Sequence, residues 1–517
     1  MIFFHRPKHA VLSLICFGSF AAIALLWFVA VGRAAERPNV LIICADDHAP
    51  YVCGAYGNQQ VHTPNIDRLA AEGMRFDRAY CNSPVCTASR QSFLTGRYPR
   101  TIGVTQLKTA LPEGEVTLAE LLSAAGYHTR ALGKMHFNSR LLHGFEQHVD
   151  VAAHRAFLRR NGGAKPIPAD VAVLGKWRPF RDPAEVWLNG FYRPYAAVDE
   201  DMLSTFLAHR AEEYLKSAAG DAPFFMIVSF REPHSPFHFP IEFRGRHNPR
   251  SFPVAKIGPE DDWQIPAIFR HLTDEQKQGI VAAYYTSVEF LDENVGRVMD
   301  ALRKSGHAED TLVIYLGDHG YMLGQHGRFE KHCMYEPAVR SPLIFRDASR
   351  ISPGSSTDAL VEFVDLVPTV LERCGVEVPH SVQGRSLLPL LTGQTNHHRD
   401  QVVVEYSENE EAMIRTKRWK LIYTTGNRQR NDGYKTDLPL PPQQKVRLYD
   451  VENDPAEMHN VAGNPRHARR VADLLKRLAD HMVRTARQPE FVPKKTADVF
   501  VLLDHCLKPR DVGSAKR

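Results

Sequence analysis

The chain has 517 residues, a formal net charge of +5, 44% hydrophobic residues and 24% charged ones. These fractions are ordinary for a globular protein and exclude a disordered or fibrous chain, and the length suits one large domain plus a smaller one. Arg6, Lys8 and Arg33 stand in an N-terminal leader without acids, so the body is nearly neutral and a nucleic-acid partner finds no support.

Arg6 and Lys8 precede an apolar run from about Ala10 to Val31, closed by Gly32-Arg33-Ala34-Ala35. Basic start, apolar centre and small-residue end make residues 1–35 an export signal, and the run is also long enough to be an uncleaved membrane anchor. Either way the body is exported: periplasmic, secreted or lumenal. Contact with a membrane follows only if the leader stays. Eight cysteines are scattered without a Cys-x-x-Cys pair, which gives neither a disulfide scaffold nor zinc, though export permits a disulfide or two.

Asn39 to Ala45 is a continuous apolar run, the pattern of a strand covered on both faces, and it ends in Asp46-Asp47-His48. Thr63-Pro64 opens a helix with Ile66, Leu69 and Ala70 inward. The segment from Cys86 opens another, placing a cysteine near a helix N-terminus, where an anion is favoured. Thr117 and Glu120 form a capping box, and Tyr127 to Leu132 is a strand running into Gly133-Lys134-Met135-His136. From Ala153 to Tyr195 the period breaks, which reads as an elaborated loop region. A helix from Asp199 to Lys216 and a strand from Phe224 to Phe230 follow, then Arg231-Glu232-Pro233-His234. A second irregular stretch carries Arg244, Arg246 and Arg250. The longest helix runs from Thr273 to about Lys304, with apolar residues at 281, 284, 288, 291, 295, 298 and 302. Thr311 to Leu316 is again a buried-type strand, ending in Gly317-Asp318-His319.

This alternation is an α/β fold with a mostly parallel sheet and helices on both faces. Past Gly393 the texture changes to short strands near residues 402–405, 412–416, 419–423 and 446–449, then a helix over 468–484. The expected division is residues 36–395 as the catalytic domain and 396–517 as a C-terminal subdomain with a small antiparallel sheet.

Carboxylates at the carboxyl ends of two strands, Asp46-Asp47 and Asp318, can converge on a hard cation, as sites in open α/β sheets do. Taken singly, each is more often a solvated turn residue. A lone Cys86 is ordinarily a structural cysteine. Lys134 and His136, two apart, would share one side of an extended chain. His234, between two prolines, sits in a rigid loop. Lys331 by itself reads as a solvated lysine.

The string Cys86-Thr87-Ala88-Ser89-Arg90, followed by Leu94-Thr95-Gly96-Arg97, resembles the type I sulfatase signature. Gly133-Lys134-Met135-His136, Pro233-His234, the run from Gly324 to Lys331, and the late Leu448-Tyr449-Asp450 and Asp454-Pro455 match sulfatase positions in the same order, so the resemblance spans roughly residues 38–465. It implies an alkaline-phosphatase-like fold. It also implies that Cys86 is oxidised to formylglycine by a formylglycine-generating enzyme, and that Asp46, Asp47, Asp318, His319 and the modified Cys86 surround one divalent cation, calcium or magnesium. His319 departs from the commoner asparagine, although Asp-His-Gly recurs in a subset of sulfatases; it lies at the metal or touches the sulfate instead.

By the same resemblance Arg90 holds the aldehyde hydrate, and Lys134 and Lys331 hold sulfate oxygens. His234, helped by Lys331, protonates the departing alcohol, and His136 takes the proton whose loss expels sulfate. The run from Gly317 to Phe345 looks like iduronate-2-sulfatase and bacterial glycan sulfatases, which implies a sulfated glycan or small sulfate ester as substrate. Arginines of the two irregular regions would grip further anionic groups, or are ordinary surface residues. Two rivals remain: a phosphate or phosphonate ester hydrolase on the same fold, and a non-catalytic protein that binds sulfated glycans.

Overall fold

The computed structural model describes residues 37–176, 183–217, 222–427, 435–488, 492–493 and 496–512. The leader read over residues 1–35 lies outside them. In chain order the strands are β1 (Asn39–Ala45), β2 (Met74–Phe76), β3 (Ala79–Tyr80), β4 (His128–Gly133), β5 (Gln147–Val149), β6 (Phe224–Ser229), β7 (Thr311–Gly317), β8 (Leu343–Arg346), β9 (Ser355–Thr357), β10 (Val361–Glu362), β11 (Val402–Tyr406), β12 (Glu411–Arg415), β13 (Trp419–Thr424) and β14 (Val446–Asp450). The helices used below are α1 (Pro64–Ala71), α2 (Cys86–Thr95), α3 (Leu118–Ala124), α4 (Val151–Arg160), α5 (Leu203–Ser217), α6 (Asp274–Lys304), α7 (Leu366–Arg373), α8 (Ala468–Arg484) and α9 (Val499–Cys506).

β1 is buried along its whole length because both of its faces are covered. Val40, Ile42 and Cys44 enter one core with Leu94 of α2, Leu122 of α3 and Val367 of α7. Leu41, Ile43 and Ala45 enter the other with Leu69 of α1, Leu207 of α5 and Leu291 of α6. The eight-stranded sheet has the order β5-β4-β6-β1-β7-β8-β2-β9, and only β8 runs against the rest. That is the mostly parallel sheet the sequence implies.

α6 carries the capping box read from Thr273 and Gln276, with Gln276 N donating to the Thr273 hydroxyl and Thr273 N to the Gln276 amide. Tyr284, Val288, Leu291, Val295, Val298 and Leu302 are buried at its helical spacing. The cap expected of Thr63 is absent. Its hydroxyl instead donates to Asp67 at 3.0 Å and accepts from Gly54 N, tying the helix start to the preceding turn.

The reading of residues 153–195 as loop is corrected by α4. Asp150 caps it, accepting from Ala152 N at 2.9 Å and Ala153 N at 3.2 Å. His154 reaches the Asp201 carbonyl, and Phe157 packs on Phe206 of α5. Packing on α5 stabilises a short helix whose own period is weak. Residues 177–182 of that stretch lie outside the described residues.

β11–β14 form the expected antiparallel sheet. One face holds Ile414 and Leu421 against Leu474, Leu478 and Met482 of α8. The other puts Val404, Met413 and Ile422 into the core shared with α2 and α7.

Candidate active site

Four neighbouring strands, β4, β6, β1 and β7, deliver Lys134 and His136, His234, Asp46 and Asp47, and Asp318 and His319 from their carboxyl ends. α2 brings Cys86 and Arg90, and the segment after β7 brings Lys331. Ala45 pairs with Gly317, so Asp46 and Asp318 leave the sheet in register. Gly133 pairs with Ser229, and Lys134 follows. Gly133 has φ +93°, and a Cβ there would stand 2.0 Å from the Ser229 carbonyl oxygen, so only glycine lets the chain turn. The chain past Gly133 is not extended as expected. His136 has φ +58°, and this turn, rather than strand alternation, brings both Lys134 and His136 to one cavity.

Cys86 is the first residue of α2 and is 2% exposed. Its Sγ lies 3.2 Å from His319 Nε2, 3.3 Å from Lys331 Nζ and 3.4 Å from Asp46 Oδ1. Arg90, one turn along α2, donates from Nε to Asp318 Oδ2 at 2.8 Å and from a terminal nitrogen to the Lys134 carbonyl and the Ser229 hydroxyl. Lys134 pairs with Asp46 and Lys331 with Asp47. The residues to which the resemblance gives a catalytic or metal role therefore gather at one site, on a cavity of about 860 Å³ or packed against the residues that line it.

The electrostatics favour a cation here. Asp46, Asp47 and Asp318 are buried to within 1%. Burial raises the Asp47 carboxyl, and the Lys331 ammonium does not fully reverse this because Asp46 and Asp318 add their charge. Asp47 Oδ2 is buried without a hydrogen-bond partner among the described residues. His319 Nδ1 lies 3.0 Å from the Gly320 carbonyl, which only accepts, so Nδ1 carries the proton and Nε2 the lone pair. That lone pair stands 3.5 Å from Asp47 Oδ1 and from Asp318 Oδ1. Burial first, then neighbouring lysine, holds the ring at about 4, hence neutral. Crowded acceptors with one orphaned oxygen fit a divalent cation.

The two other histidines are fixed by similar contacts. The Thr87 hydroxyl donates to the Leu107 carbonyl at 2.6 Å and lies 3.3 Å from His136 Nδ1, so Nδ1–H donates to it and Nε2 keeps the lone pair. His234 Nδ1–H donates to the Ser235 carbonyl at 2.8 Å. Burial, with Lys134 beside His136 and Lys331 beside His234, holds both rings well below the usual histidine range.

A family model described as Sulfatase matches residues 38–376. The chain belongs to the sulfatase family. It is a sulfuric ester hydrolase of alkaline-phosphatase-like fold. A second model, N-sulphoglucosamine sulphohydrolase, C-terminal, matches residues 324–484 of this sulfatase. It is 27% identical over 510 residues to an N-acetylglucosamine-6-O-sulfatase of Bacteroides thetaiotaomicron, with 86% of each chain covered. A protein solved in complex with its substrate D-glucosamine-2-N,6-O-disulfate shares the fold, with a TM-score of 0.69, 24% identity, and 87% of this chain and 98% of that one covered. The phosphonate monoester hydrolase of Agrobacterium radiobacter shares it too, at TM-score 0.73 and 23% identity over 87% and 96% of the two chains.

Sequence reading missed supporting residues of this sulfatase. Ser89 donates to the Asp318 carbonyl, Ser229 to that of Lys134, and Thr87 orients His136. Ser89 sits inside the signature and was legible as part of it; Ser229 gave no signal beyond ending a strand. Arg246, one of the arginines read either as gripping anionic groups or as ordinary surface residues, pairs with Glu289. The seven described cysteines are all free.

Proposed function

We propose that the protein is an exported sulfatase that removes sulfate from sulfated carbohydrate, with Cys86 converted to formylglycine and one divalent cation, calcium in this reading. The observation that carries this is the packing of the Cys86 Sγ within 3.4 Å of His319, Lys331 and Asp46 at the floor of the cavity. Formylglycine, installed by a formylglycine-generating enzyme, supplies a hydrated aldehyde as nucleophile where a buried thiol would stay protonated. The cation, held by Asp46, Asp47, Asp318 and His319, supplies Lewis acidity towards sulfate and relieves the crowding of carboxylates.

The chain's own side chains do the rest. Lys134 and Lys331 bind non-bridging sulfate oxygens and offset charge that grows in the transition state. Arg90 fixes Asp318 and the Lys134 backbone, so both arrive preorganised, and it orients the group at position 86. His136 offers the Nε2 lone pair set by Thr87 and takes a proton from position 86. His234, its Nδ1–H anchored on Ser235, is neutral in the free protein. It takes up a second proton at Nε2 as the negatively charged sulfate ester binds and, with Lys331 assisting, passes that proton to the departing sugar oxygen. Phosphonate monoester hydrolases share the fold, so phosphonate esters belong in the test. Protein made with a formylglycine-generating enzyme should release sulfate from heparan-, chondroitin- or N-acetylglucosamine-type sulfates, and Cys86→Ala should not. Release only from phosphonate or phosphate esters would overturn the sulfatase assignment of the site.

A further inference from the structure

The cavity rises from the buried Cys86 to a lip carrying two exposed cations, Lys108 and Arg155, which come from separate elements. Neither side chain forms a hydrogen bond or ion pair among the described residues. Arg90, Lys134 and Lys331 beside Cys86 are matched to Asp318, Asp46 and Asp47, whereas Lys108 and Arg155 line the same cavity, with Arg231 and Asp150, and are matched to none of these three carboxylates.

Lys108 is not on a loose loop. Asn138 donates to the carbonyls on both sides of it, Leu107 and Thr109, at 3.0 Å each. Thr87, the neighbour of Cys86, also donates to the Leu107 carbonyl. Asp511 accepts from Thr105 N at 2.9 Å and Gln106 N at 3.0 Å, holding the start of the turn. Arg155 stands on α4, which Asp150 caps and Phe157 docks on Phe206. Both cations therefore sit on backbone held in place from several sides. Holding a turn this way while leaving its lysine unpaired keeps the ordering cost of binding low.

We propose that Lys108 and Arg155 read a second anionic group on the substrate, a carboxylate or another sulfate on the sugar bearing the scissile ester or on its neighbour. This rests on the sulfated-carbohydrate reading and narrows it: singly charged sulfate esters fill the floor and leave the lip unused. Arg155 presents a planar fork suited to a carboxylate or sulfate, and Lys108 a mobile point charge.

The test uses Cys86→Ala protein, which binds without chemistry, and matched disaccharides with one sulfate ester in common. One pair differs by uronate against its reduced alcohol, the other by N-sulfate against N-acetyl. Calorimetry should show that one of these anions strengthens binding about tenfold, less at high salt. Adding Lys108→Gln and Arg155→Gln should abolish that ratio, and Lys108→Arg should keep most of it. The pair that responds tells carboxylate from sulfate. Because a ratio is read, a general loss of affinity cancels. Equal affinities within both pairs, or a ratio that survives in the double substitution, overturns the proposal. Turnover of the same disaccharides by formylglycine-bearing protein decides the sulfatase reading separately.

Discussion

Arg90 Nε lies 2.8 Å from Asp318 Oδ2, joining the helix of Cys86 to the end of β7 with both side chains at most 1% exposed. The pair fixes the distance between the position-86 side chain and the carboxylates, so it positions as well as balances charge. Arg90→Met leaves Asp318 buried without its partner. The expected loss is about 3–5 kcal/mol of stability, read by urea unfolding. Stability within 1 kcal/mol of the parent would show that the pair does not carry the site.

His234 should matter in proportion to the leaving group's need for a proton. His234→Ala is expected to lower kcat about 10²–10⁴-fold on a sugar sulfate, whose alkoxide leaves poorly. On 4-nitrophenyl sulfate, whose phenolate leaves unaided, the loss should be much smaller. Equal losses on both esters would remove His234 from the proton-donor role.

A cation site predicts a stability effect independent of turnover. Calcium added to metal-stripped protein should raise Tm, by an amount equivalent to about 2.7 kcal/mol at a hundred times its dissociation constant. Asp47→Asn and Asp318→Asn should weaken that response. A calcium response unchanged in both variants would place the ion elsewhere.

On β13, Lys420 is fully buried between Glu336 at 3.3 Å and Glu457 at 2.7 Å. It links the C-terminal sheet to the segment after β7. Lys420→Met takes the cation from buried Glu457 and leaves Glu336 to Arg415 at 3.5 Å and the Tyr80 hydroxyl, and should cost about 3–5 kcal/mol. Burial by itself raises the Glu336 carboxyl, and Lys420, Arg415 and Arg340 more than reverse this, bringing it to about 2 from the usual 4.5. Its folded value lies below its unfolded one, so the stabilisation is complete above about pH 4.5 and is lost as pH falls towards 2. Urea midpoints of the parent and Glu336→Gln should therefore converge over that window. A gap that stays constant down to pH 2 would contradict the assignment.

The strands that carry the site were legible because burial on both faces writes an unbroken apolar run, as in Asn39–Ala45, and the acids follow immediately. The Cys86 string and the order of Lys134, His234, Asp318 and Lys331 carried the chemistry through resemblance. Two features were not legible. α4 hides because Phe157 and His154 are stabilised by Phe206 and Asp201, which lie more than forty residues away. His136 reaches the site through a left-handed turn, and no side-chain pattern announces a positive φ on a histidine.

The most direct test of the central claim is the rate of sulfate release against the fraction of Cys86 present as formylglycine, counted by mass in the peptide that contains it. Preparations made with graded amounts of formylglycine-generating enzyme should fall on a line through the origin, with Cys86→Ala at zero. A rate that is the same in preparations with and without the aldehyde would contradict the account.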